Sequence, residues 1–241
     1  YLGVPWNKKM HLCEILKKCK DEFPKFENIF DNCSAAHSTP SCGIVIAHYK
    51  TPLSEVLKWT RDMEQKAKDE TGRDAFALAV LKHSGEISVC SFKWLLDGQS
   101  TQSAHSPIDI FSFILDAIQG NNPHIKVSTN FIRQLRLEFS RFMDKNGNVD
   151  TFQNPAINPG DIVETEVKRL FIRSLEKYDD KTPGETNEEY SQRKNDFIKS
   201  ITDSIMLLFT HSKNNMENFL SSLEILAFIK NKTNGGNRNG E

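Results

Sequence analysis

Two short apolar runs, GIVIAHY at 43–49 and AFALAVL at 75–81, constrain the fold more than anything else in the sequence. Each is rich in β-branched or small apolar residues and is bounded by turn formers, as expected of strands covered on both faces. Between them Pro52 opens a helix whose stripe is Leu53, Val56, Leu57, Met63 and Ala67, and which runs to about Glu70. That helix ends in KAKDETGRD and passes straight into the second run. A Gly after a basic helix end is an ordinary C-cap signal, so one reading is a helix–turn–strand joint with solvated charges. The other is that Lys68 and Arg73, five residues apart across a tight turn, converge on a phosphate. Ser84-Gly85 then marks a hairpin turn into EISVCSFKW at 86–94, an alternating third strand.

An amphipathic helix is predicted over 7–23, with Met10, Cys13, Leu16 and Cys19 on one side, and a turn-rich stretch follows at 31–41. The order helix, strand, helix, strand, strand is the back half of an α+β or α/β unit, so the front half is expected before residue 1. The polar segment DGQSTQSAHSP then offers little to bury and reads as a linker. After it no strand is predicted, and helical periodicity recurs five times. The spans are 108–119 (Ile110, Phe111, Ile114, Leu115, Ile118), 128–143 (Phe131, Leu135, Phe139, Phe142) and 161–177 (Val163, Val167, Leu170, Phe171, Leu175). Two more run over 187–210 (Tyr190, Phe197, Ile201, Ile205, Leu208) and 213–230 (Met216, Phe219, Leu220, Leu223, Leu226, Ala227). The expected class is therefore α+β: a partial sheet domain over 1–97, an all-α bundle over 98–230, and a disordered tail over 231–241.

Composition removes several functions. Net charge is −1, from 31 basic and 32 acidic residues, so no global basic field advertises nucleic acid. The longest apolar runs, AFALAVL and SIMLLF, are too short to span a bilayer, and no membrane partner is expected. Five cysteines with no C-x-x-C pair argue against a disulfide framework or a zinc ribbon and suit a reducing cytoplasm. DKNGNVD at 144–150 is not a calcium loop, because Val149 stands where Gly is required and Pro155 where a bidentate Glu is required. Among seven scattered histidines only His48 falls in a predicted buried strand, where a satisfied core histidine is expected. No P-loop, G-x-S-x-G or G-x-G-x-x-G occurs.

What remains is the block SCGIVIAHYKTPLSEVLKWTRDMEQKAKDETGRDAFALAVLKHSGE at 41–86. Ser41, Gly43, Ile44, Ile46, Ala47, His48, Tyr49 and Lys50 lead into Pro52-Leu53 and a helix ending Ala67-Lys68. Gly72, Arg73 and Asp74 form the turn, and Lys82, Ser84, Gly85 and Glu86 close the next strand. In this order the block resembles the last part of the second palm domain in the large subunit of type III CRISPR effector complexes. The palm resemblance covers about residues 1–94, and the helical remainder fits that family's C-terminal helical domain in position and size. The fold this implies is a partial palm, ferredoxin-like or cyclase-like, followed by the bundle.

Palm-fold nucleotide cyclases, the diguanylate cyclases included, carry similar Ala-Lys-x-x-x-Gly-Arg-Asn segments whose Lys and Arg contact nucleotide phosphates. The resemblance carries that role to Lys68 and Arg73, with Gly72 supporting the turn. Asp74 departs from the cyclase Asn and is expected to brace Arg73. In the intact protein the resemblance implies ATP as substrate, with Mg or Mn, for synthesis of cyclic oligoadenylate. It also implies partner subunits of the complex, a guide RNA and a target RNA. Chemistry in that family rests on a metal-binding Gly-Gly-Asp-Asp hairpin, expected just before the helix at 7–23. No acidic residue precedes Glu14, so no catalytic or metal residue is assigned in this chain. The alternatives are a non-catalytic scaffold subunit of the same complex with a degenerate palm, and a diguanylate cyclase-like domain.

Overall fold

The computed structural model describes residues 40–95, 106–119, 126–140, 143, 159–178, 180–212 and 215–235. The helix expected at 7–23, most of the turn-rich stretch after it, most of the linker, the DKNGNVD loop and the chain beyond Gly235 lie outside them. The fold is α+β. Two compact units divide between Asp109 and Ile110.

In the first unit, β1 (Ser41–Ala47), α1 (Leu53–Asp69), β2 (Ala75–Leu81) and β3 (Ile87–Lys93) make a three-stranded sheet in the order β1-β2-β3. β1 and β2 are parallel, Ser41 opposite Ala75 through Ala47 opposite Leu81, and α1 is their crossover. β3 returns antiparallel to β2, with Leu81 opposite Ile87 and Ala75 opposite Lys93. The alternation in AFALAVL explains the central strand. Ala75, Ala77 and Ala79 meet Met63 and Ala67 of the helix, and their small side chains let it lie close. Phe76, Leu78 and Val80 lie on the other face, where Phe76 packs on Phe92 and Trp94 at ring-centroid distances of 6.3 and 5.0 Å. All seven residues of β2 are buried.

Gly43 is required by the same close packing. A Cβ there would come under 3.0 Å from the Thr60 carbonyl oxygen and the Glu64 amide nitrogen of α1, both backbone atoms. β1 differs from its expectation: all seven residues are half-buried, so the strand is not covered on both faces. His48 is corrected with it. It stands past the strand end, its ring 4.4 Å from Tyr49 and 5.3 Å from His83, and is no core histidine.

The second unit is mainly helical: α2 (Pro107–Gln119, which begins just before the division), α3 (Asn130–Phe139), α4 (Pro159–Ser174), α5 (Asn187–His211) and α6 (Met216–Gly235). Their stripes supply its core, with Phe111, Phe131, Leu135, Val167, Phe171, Ile205 and Phe219 buried. Two expectations fail. The helix predicted over 161–177 stops at Ser174, and β4 (Lys126–Val127) pairs antiparallel with β5 (Leu175–Lys177), although no strand was expected there. The Ser128 N–H donates to the Ser174 carbonyl at 2.8 Å, so the pairing takes the backbone groups that a further helical turn would have used. α6 continues to Gly235, past the predicted end at 230. Propagating a formed helix through polar residues costs little.

Candidate phosphate-binding corner

The corner forms where α1 ends. Lys66 and Lys68 occupy its last turn, where cations suit the negative end of the helix dipole. Gly72, Arg73 and Asp74 then all take positive φ, at 83°, 61° and 47°. Glycine adopts this conformation freely, whereas Arg73 and Asp74 each carry a cost of about 1 kcal/mol. Three contacts hold them there. The Arg73 N–H donates to the Ala67 carbonyl at 3.1 Å, and the Trp94 N–H donates to the Asp74 carbonyl at 3.1 Å. The Lys93 ammonium donates to the carbonyls of Gly72 and Arg73, both at 2.6 Å.

Lys93 was not singled out in the sequence. It sits opposite Ala75, on the sheet face that carries the helix, and only the β2–β3 register brings it to the turn. By taking two carbonyls it turns the peptide units of 72 and 73 so that their oxygens face a fixed cation.

Lys68 and Arg73 thus flank one helix end, tied through the Ala67 carbonyl next to Lys68. Both residues are exposed. The Lys68 ammonium lies 2.6 Å from a Glu64 carboxylate oxygen, with the two side chains 46% and 48% exposed. A pair this open contributes at most about 0.5 kcal/mol. Arg73 forms no ion pair among the described residues. Asp74 makes no side-chain contact with it, and reaches the rest of the fold through its carbonyl.

The chain contains no Gly-Gly-Asp-Asp, and no three His, Cys, Asp or Glu side chains among the described residues stand where they could hold an ion. Cys90 is no candidate nucleophile: complete burial pushes its thiol up to about 12, against a weaker opposing effect of Lys66.

Residues 2–77 match the family described as Cas10/Cmr2, second palm domain. Over these residues the chain is similar to the second palm domain of Cas10/Cmr2 proteins. Over 85 residues it is 38% identical to the CRISPR system Cmr subunit Cmr2 of Pyrococcus furiosus, an alignment spanning 34% of this chain and 9% of that protein. The Cas10/Cmr2 match ends inside β2, so it takes in β1, α1 and the whole Gly72-Arg73-Asp74 turn. The resemblance read from the motifs, to the large subunit of type III CRISPR complexes, is therefore supported over residues 2–77. No helix among the described residues is long and apolar enough to cross a membrane.

Proposed function

We propose that this chain is the palm end and helical domain of a type III CRISPR large subunit, and that Lys68 and Arg73 bind the phosphates of ATP. The observation that carries the reading is the turn itself. Two non-glycine residues are held at positive φ in a turn whose carbonyls Lys93 binds, and the result is an exposed arginine beside an exposed lysine at a helix end. Strain of this kind at a solvent corner serves no packing purpose, whereas it does fix where the backbone presents Arg73.

The role of the corner is electrostatic and positional. Lys68 and Arg73 neutralise phosphate oxygens, and Lys93 keeps the turn from relaxing. Divalent metal chemistry in this reading rests on a Gly-Gly-Asp-Asp hairpin that the sequence does not contain. In the assembled complex, ATP held in this way is consumed in making cyclic oligoadenylate when the guide RNA pairs with a target RNA. Partner subunits and both RNAs are part of this proposal.

The test is oligoadenylate synthesis by the assembled complex carrying Lys68→Ala and Arg73→Ala together. Losing two charged phosphate contacts is expected to lower kcat/KM for ATP by about a hundredfold or more. Unchanged ATP use would remove the phosphate role, and a wild-type complex that neither binds ATP nor makes product would favour the scaffold reading.

A further inference from the structure

The opposite end of the same sheet carries a second constellation. β1 and β2 are each seven residues long, so their carboxyl ends lie roughly 20 Å from the Lys68–Arg73 corner. There an open cavity of about 230 Å³ is lined by His48, Lys50, Thr51, Lys82, His83 and Ile87, among others. His48 and His83, both on its wall, lie 5.3 Å apart between ring centroids, and Tyr49, outside the lining, lies 4.4 Å from His48. Tyr49 is 83% exposed, and the Lys50 ammonium lies 5.7 Å from its ring centre.

The cations differ in what they already hold. Lys82 is paired with Glu86 at 2.8 Å across the hairpin. Lys50 has no carboxylate partner among the described residues, and its backbone N–H donates to His48 Nδ1 at 3.3 Å, which sets that ring beside the turn. The acidic residue on the cavity wall, Glu55, lies in the first turn of α1, where it complements the helix dipole, and forms no ion pair with Lys50. Pro52 caps that helix without a side-chain hydrogen bond, so its first N–H groups also face this end.

We propose that this end binds a single-stranded nucleic acid segment, with a base stacked on Tyr49 and the adjoining phosphate on Lys50. A large aromatic side chain left four-fifths in water, beside the His48 ring and a lysine with no carboxylate partner, matches what an unpaired base and its phosphate require. An apolar protein partner would leave the Lys50 ammonium to be desolvated without a carboxylate partner. The inference does not rest on the ATP reading, because none of its residues belongs to the other corner.

The experiment is fluorescence anisotropy with a 5′-fluorescein ten-nucleotide oligoadenylate RNA on the 241-residue chain, over a range of salt. Tyr49→Ala is expected to weaken binding about tenfold, the loss of one stacked base, and Tyr49→Phe to restore it. Lys50→Gln should lower the slope of log affinity against log salt by about 0.7, one released counterion on a single strand. Equal affinity of wild type and Tyr49→Ala overturns the proposal, as does equal affinity for a blunt duplex, which has no free base to stack. Because Tyr49 is so exposed, the thermal midpoint of Tyr49→Ala is expected to match wild type, separating lost binding from lost fold.

Discussion

Arg136 in the helical unit and Arg73 in the sheet unit show two opposite uses of one side chain. Arg136 projects from α3 against α6, where Glu217, Ser221 and Glu224 fall at helical spacing on one face. Two of its nitrogens meet the Glu217 carboxylate at 2.9 and 3.0 Å, a third pairs with Glu224, and the Ser221 hydroxyl takes a further bond at 3.3 Å. Its partial burial works against the charge, yet the two carboxylates raise its pKa further, while Arg136 and Ser221 hold Glu217 below the usual carboxylate range despite burial. Its charge is answered inside the fold by two carboxylates, although its buried Nε makes no hydrogen bond. Arg73 has the reverse arrangement, its backbone pinned from three sides and its guanidinium left to solvent. A satisfied cation holds helices together; a positioned and unsatisfied one is available to a ligand.

Substitutions can break this comparison on either side. Gly43→Ala is expected to have the largest effect, about 3 kcal/mol of destabilisation in denaturant unfolding, since the clash is with helix backbone that cannot swing away. It separates β1 from α1 and thereby loosens the corner. Arg136→Ala leaves Glu217 and Glu224 facing each other without their cation and should cost about 2 kcal/mol. Nucleotide binding should not change with it, which is the distinction being tested. Lys93→Met removes two charged hydrogen bonds from an already strained turn; about 1 kcal/mol is expected, together with weakened ATP binding although no phosphate contact has been deleted.

The smallest effect is a pH dependence at the turn before α5. Arg193 and the Thr182 N–H bring the Glu185 carboxyl down to about 2 from an ordinary 4.5. A folded-state pKa below the unfolded one adds stability that is present above pH 4.5 and is lost as pH falls toward 2. Arg193→Met should flatten the unfolding midpoint over that window, and an unchanged slope would assign the dependence to other carboxylates.

These cases also show where the sequence was readable. β1, α1, β2 and the Ser84-Gly85 hairpin follow from local periodicity and turn chemistry, and each stands near its predicted bounds. Lys68, Gly72 and Arg73 were named because they are neighbours along the chain. Lys93 was not, because its contact spans 20 residues and depends on the β2–β3 register. The Arg136–Glu217 pair spans 81 residues and carries no local signature at all. Gly43 was named as one of the ordered matches in the block, but its reason, the backbone of α1 against the strand, exists only in three dimensions. His48 was misplaced because an apolar run extended the strand by two residues on paper, whereas the Thr51 N–H to His48 carbonyl turn ends it.

The most direct test of the central claim is a ³¹P NMR titration of ATP with the 241-residue chain. The account predicts that the phosphate resonances shift and broaden with wild type and with Arg136→Ala, and stay at their free positions with Lys68→Ala/Arg73→Ala. Equal shifts in wild type and the double variant would mean that ATP phosphates are held elsewhere, and the corner would then be a joint between helix and strand and nothing more.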